Sequence, residues 1–287
     1  MSEQHIDEIS GVSTTGHEWD GIKELDNPMP RWWLWTFYAT IIWALGYAIA
    51  YPAWPLVSSA TTGLLGYSSR QELSSAMEQA AAGQAELRAA IAEKPLPEIL
   101  ADETLRRFAA SAGAAAFKVN CVQCHGSGAE GSPGFPNLND DDWLWGGDIE
   151  SIHQTIAHGI RFAGDEETRF SEMPPFGDML TAPEIRQAAA FVASLTGKPS
   201  DPALAAAGKQ VYADNCASCH GETGLGEQSL GVPNLADAIW LYGPSEEDIA
   251  SQIRRPKHGV MPGWQERLGD QAVKQLAVYV YSLGGGE

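Results

Sequence analysis

Two heptapeptides, NCVQCHG at residues 120–126 and NCASCHG at 215–221, hold all four cysteines of the chain, and in each a Cys pair is followed at once by a His. Thiols two residues apart lie within one helical turn. Alone, such a pair suits a disulfide, a redox dithiol or half of a zinc site. None of those chemistries needs the His directly behind the second Cys, in both copies. Attachment of c-type haem does: the sulfurs form thioethers with the two vinyl groups and the next imidazole reaches the iron. Cys121, Cys124 and His125 are therefore expected to hold one haem c, and Cys216, Cys219 and His220 a second.

The sixth iron ligand must come from elsewhere. A thioether favours ferrous iron and raises the potential, and Met/His ligation suits electron transfer. Only Met173 and Met261 sit in matching contexts, each followed by a Pro that fixes its φ angle, whereas Met29 and Met77 lie outside the motif regions and Met179 lacks the context. Met173 and Met261 are the expected distal ligands. His158 and His258 are the rivals and would give bis-His haems of lower potential. Each Met capping the haem of its own half is the simpler expectation, and exchange between the halves stays open.

The elements that must position these residues repeat. Each copy carries a Gly and an aromatic ahead of the motif (Gly113 and Phe117; Gly208 and Tyr212). Behind it come Pro-Asn-Leu (136–138; 233–235), Trp-Leu (143–144; 240–241), His-Gly (158–159; 258–259), Met-Pro and a helical stretch (183–195; 270–283). Thr181 and Glu184 form a capping box for the first of those helices, whose Ile185, Ala189 and Val192 share a face; Val273, Leu276, Ala277 and Val280 do so in the second. With few strand-like alternations, the fold class is all-α: two tandem class I-like cytochrome c domains over 105–199 and 200–287. So small a domain buries little surface of its own, and a large apolar cofactor supplies the missing core. Gly113 and Gly208 let the first helix of each domain cross its last, at Phe191 and Tyr279 respectively. Trp143 and Trp240 are core aromatics or donors to haem propionates, and Arg161, Arg254 and Arg255 are further propionate candidates without a distinguishing signal.

Upstream, WWLWTFYATIIWALGYAIAY at residues 32–51 is uncharged. About 20 residues at roughly 1.5 Å each span a bilayer core of about 30 Å. Tryptophans and tyrosines at both ends match the interfacial belts, and the acidic stretch of residues ahead of it is unlike a signal peptide. A transmembrane anchor over 31–57 follows, between an N-terminal segment (1–30) and a helical spacer (58–104) broken by Pro95 and Pro97. Lys23 and Arg31 before the helix, against a first basic residue at Arg70 after it, place the N-terminus in the cytoplasm and the rest in the periplasm. The 18 basic and 37 acidic residues of the 287 give a net charge of -19, which excludes nucleic acid and favours basic partners. Acidic runs at Asp140–Asp142 and Glu246–Asp248 can steer such a partner.

NPMPRWWLWTFYATIIWALGYAIAYPAWP at 27–55, the spacer and the tandem CVQCH and CASCH motifs together resemble the membrane-anchored dihaem cytochrome c subunit (subunit III) of cbb3-type cytochrome c oxidases; the Pro-Arg-Trp-Trp entry makes the resemblance specific. It implies a single-pass subunit of the bacterial inner membrane carrying two covalent haems with His/Met ligation. Such a subunit takes electrons from a donor cytochrome c and passes them, through a monohaem cytochrome subunit, to the haem-copper subunit that reduces oxygen. The seven histidines all lie outside the single span, so the chain itself has no oxygen-reducing centre and serves an enzyme only as part of the proton-translocating complex. An electron-accepting subunit of a periplasmic dehydrogenase and a haem-based sensor or adaptor are the alternatives.

Overall fold

The computed structural model describes residues 5–197, 199 and 201–285; residues 1–4 of the N-terminal segment and the last two of the chain lie outside the described residues. The chain divides into two compact units, Met1–Gly83 and Gln84–Glu287.

The first unit opens with an antiparallel hairpin absent from the sequence reading, β1 (Thr14–Trp19) and β2 (Ile22–Leu25). Asp20 and Gly21 join the strands at φ of 50° and 86°, the left-handed pair that a tight Asp-Gly turn requires. The anchor is α1 (Arg31–Ala50), the single helix among the described residues long and apolar enough to cross a membrane. None of its residues is buried within the chain. Exposing large apolar side chains to water forfeits about 1.5–3 kcal/mol each, so Trp32, Trp35, Ile42, Trp43 and Leu45 need an apolar surrounding. Its last carbonyls are satisfied by the returning chain, which donates from Leu64 N–H to Ile49 O (2.9 Å) and from Leu65 N–H to Ala50 O (3.0 Å). Helix α2 (Ser69–Gly83) is exposed throughout, as expected of a solvated spacer.

The spacer does not extend to residue 104. The second unit begins at Gln84, and α3 (Ala85–Glu93) and α4 (Leu96–Ala101) belong to it, with Ile91 and Ile99 fully buried and Leu96 nearly so. Lys274 fixes the end of α3 by donating to the carbonyls of Ile91, Ala92 and Lys94. Leu87 and Leu100 pack against the same cluster, and Pro97 sits in the first turn of α4, where a missing N–H costs nothing.

The helices that follow are α5 (Glu103–Asn120), α6 (Val122–His125), α7 (Ile149–His158), α8 (Ala182–Leu195), α9 (Pro202–Asn215), α10 (Ala217–His220), α11 (Glu246–Arg254), α12 (Gln265–Leu268) and α13 (Asp270–Tyr281). The capping box at Thr181 and Glu184 opens α8, and the expected faces of α8 and α13 are buried. Their partners are not those of the sequence order. Helix α13 packs on α5, and α8 packs on α9. The core therefore forms two lobes that ignore a boundary at residue 199. An outer lobe combines Ile91–Ala157 with Met261–Leu283, and an inner lobe runs continuously from Met173 to Ile253.

Each lobe contains one close helix crossing, mirrored in detail. A Cβ on Gly113 would overlap the Gln275 carbonyl and Tyr279 Cβ, and one on Gly208 would overlap the Gln187 carbonyl and Phe191 Cβ. Phe117 meets Tyr279 at 5.3 Å between ring centroids and Tyr212 meets Phe191 at 5.0 Å. The glycines act as expected, with the opposite pairing: Gly113 crosses at Tyr279 and Gly208 at Phe191.

Candidate functional site

Both Cys-x-x-Cys-His motifs are built alike. The helix before each motif runs into it, with Cys121 N–H donating to Phe117 O and Cys216 N–H to Tyr212 O (2.8 Å each); one turn then returns the His N–H to the first Cys carbonyl at 3.0 and 2.9 Å. All four thiols are unpaired. Burial first, and the neighbouring Cys second, pushes Cys121 and Cys216 up to about 11, so both are protonated thiols at neutral pH.

The imidazoles are oriented by the Pro-Asn-Leu repeats. His125 Nδ1 lies 3.1 Å from Pro136 O and His220 Nδ1 lies 3.3 Å from Pro233 O. A carbonyl there holds the proton on Nδ1 and leaves Nε2 as the free donor for a metal. Burial lowers both imidazole pKa values, against a smaller opposing effect of those carbonyls, and so favours the neutral, coordinating form. The sequence exposed the Pro-Asn-Leu repeat but not its task. This pair of anchored thiols beside a preset imidazole is the donor set that haem c takes.

The methionines separate by lobe. Met261 packs into the outer cluster with Phe117 and Cys121, and Met173 into the inner cluster with Tyr212 and Cys216. Met29, Met77 and Met179 are exposed. Of the rival ligands, His258 is exposed. His158 has both ring nitrogens engaged, Nδ1 at 3.0 Å from Asp165 Oδ2 and Nε2 at 3.1 Å from Glu167 Oε2. Trp143 and Trp240 are half-buried against the outer and inner clusters, and the Trp143 indole N–H donates to the Gly285 carbonyl. Arg254 and Arg255 are exposed.

One signal in the sequence went unread. The first copy holds twelve more residues between its His-Gly and its Met-Pro than the second. This insertion is the strap that carries the chain from the outer to the inner lobe. At its start Ile160 exchanges both backbone hydrogen bonds with Met261 (2.9 and 3.0 Å) and pairs with Arg169 on its other side.

Acidic side chains meet where the lobes adjoin. Burial, then the charges of Asp237, Asp140 and Asp141, pushes Asp142 up to about 6. A carboxyl whose folded pKa is raised binds its proton more tightly when folded, so its charge opposes folding above that value. Stability is expected to fall as pH rises from the ordinary 3.8 to about 6, and to stay reduced above it. Asp142→Asn should flatten this slope and raise the denaturation midpoint at neutral pH. Urea melts of both proteins across pH 4–8 check it, and parallel profiles would refute it.

Comparison with known proteins agrees with this construction. The family model described as "N-terminal domain of cytochrome oxidase-cbb3, FixP" matches residues 11–58. That described as "Cytochrome C oxidase, cbb3-type, subunit III" matches residues 108–192 and 203–280. The chain is 64% identical over 284 residues to the cbb3-type cytochrome c oxidase subunit FixP of Rhizobium meliloti (strain 1021), covering 99% of this chain and 98% of the relative. It is 63% identical to subunit FixPc of Rhizobium leguminosarum bv. viciae over the full length of both, and 54% identical to subunit CcoP of Cereibacter sphaeroides over 96% and 95% of the two chains. Two repeats of cytochrome c type, each with thiols and an oriented imidazole, behind one helix suited to a membrane, place the chain in the family of cbb3-type cytochrome c oxidase subunit III.

Proposed function

We propose that the chain is the electron-relay subunit of a cbb3-type oxidase and carries two haem c groups, one per lobe. The outer haem would be held by Cys121, Cys124, His125 and Met261, the inner one by Cys216, Cys219, His220 and Met173. When bound, haem c supplies a one-electron ferric/ferrous couple. The chain's own residues then do three things. The cysteines fix the group covalently, the Pro136 and Pro233 carbonyls keep each His in its coordinating tautomer, and the helix crossings at Gly113 and Gly208 close an apolar wall that excludes water and favours the ferrous state.

The observation that carries this reading is that each motif shares its hydrophobic cluster with one of the two methionines in matching Met-Pro contexts, in both cases the methionine of the other sequence repeat. In the membrane, α1 anchors the chain with the lobes periplasmic and the N-terminus cytoplasmic, the side on which Lys23 and Arg31 satisfy the positive-inside bias. A donor cytochrome c delivers electrons, which continue to a monohaem cytochrome subunit and the haem-copper subunit. The net charge of -19 suits a basic donor.

Haem counting tests the core of the proposal. Intact mass and the pyridine haemochrome should give two haems per chain, and Cys121→Ala with Cys124→Ala should leave one. Two haems retained by that variant, or none in the native chain, would overturn it.

A further inference from the structure

Resting on the assignment of Met173 and Met261 as distal ligands, we propose that Arg161 is a positioning residue shared by both sites: one guanidinium ties together the two loops that present the methionines. Its Nε donates to the Gly259 carbonyl at 2.8 Å, two residues before Met261, and its Nη1 donates to the Ser171 carbonyl at 2.9 Å, two residues before Met173. The two loops belong to different lobes and are 88 positions apart in the chain at these carbonyls.

The backbone of Arg161 is pinned for this task. Its φ is 52°, a left-handed value that a residue with a Cβ keeps only where its surroundings over-determine it. Those surroundings are present: Arg161 N–H donates to Arg169 O at 2.8 Å, and the preceding Ile160 exchanges both hydrogen bonds with Met261. The guanidinium is partly buried and makes no ion pair among the described residues, so its fixed partners are the neutral carbonyls. Residues 170–175, which carry Met173, have no regular secondary structure to fix them otherwise. A guanidinium suits the role because its rigid fork serves two acceptors at once, whereas an ammonium is a point charge on a flexible stem. The second repeat has no counterpart, since Val260 and Met261 follow Gly259 directly, and one arginine therefore serves both loops.

The test uses the full-length chain with both haems and compares Arg161→Gln and Arg161→Lys with Met173→His and Met261→His. Readouts are haem per chain, the near-red charge-transfer absorbance of methionine-ligated ferric haem, and the fraction of ferrous haem that binds carbon monoxide. In Arg161→Gln, loosening both loops should make more than half of the haem reactive to carbon monoxide while the haem count stays at two. Arg161→Lys keeps the charge but reaches one carbonyl at best, so half of the haem or less, yet more than in the native chain, should react. A reactive fraction of half or less in Arg161→Gln, or a Lys variant indistinguishable from native, overturns the tie. If Arg161→Gln loses haem altogether, the Lys variant decides on the same criterion. Should neither Met→His variant change the charge-transfer absorbance, the ligand assignment itself fails, a result distinct from failure of the tie.

Discussion

Met261→His should lower the potential of the haem proposed on Cys121 and Cys124, in the other sequence repeat, and should leave the one proposed on Cys216 and Cys219 near its native value. The expectation follows from packing. Met261 lies in the same cluster as Cys121 and Phe117, and Met173 lies with Cys216 and Tyr212. Exchanging a thioether for a second imidazole stabilises ferric iron, and axial ligation moves haem potentials over about 0.8 V in all, so a drop of a few tenths of a volt is expected. A redox titration in a background lacking Cys216 and Cys219 isolates the outer haem. A titration curve unchanged there, with the drop appearing instead in a background lacking Cys121 and Cys124, would restore local pairing.

Gly113→Ala should be among the most destabilising single substitutions in the second unit. The new methyl group would fall on the Gln275 carbonyl and on Tyr279 Cβ, backbone and near-backbone atoms that cannot swing aside. Overpacking of a close-packed site costs about 1–3 kcal/mol, and a clash with main chain belongs at the top of that range. The native helix gains from alanine elsewhere, about 1 kcal/mol against glycine, which makes the sign diagnostic. Chemical denaturation should show the loss, and Gly83→Ala, at an open position with no atom near its new Cβ, should not. Equal midpoints for Gly113→Ala and the native chain would mean that α5 and α13 do not cross as described.

Much of the candidate site's local geometry was legible because it is set within one or two helical turns. The thiols and the imidazole lie within one turn, the capping box at Thr181 lies within four residues, and the apolar faces of α8 and α13 follow one helical period. What the sequence did not disclose is which helix meets which. Helices α8 and α13 are equivalents in a repeat, with Phe191 and Tyr279 in matching places, so pattern alone cannot assign either to α5 or to α9. The asymmetric insertion after Gly159 was the available clue. The docking of α3 and α4 escaped for a different reason: their apolar residues are spread among alanines and interrupted by Pro95 and Pro97, although Ile91, Leu96 and Ile99 are almost wholly buried. The hairpin at 14–25 had a clear turn signal in Asp20-Gly21 but strands with little apolar alternation.

The lobe from Met173 to Ile253 is one uninterrupted stretch, whereas the lobe around it waits for residues beyond 260. During synthesis, the cradle encoded second can close while the one encoded first is still an open half, with Phe117 and Ile152 lacking the helix that will cover them. A nonsense codon anywhere between those two points would leave one lobe whole and its elder sibling gaping.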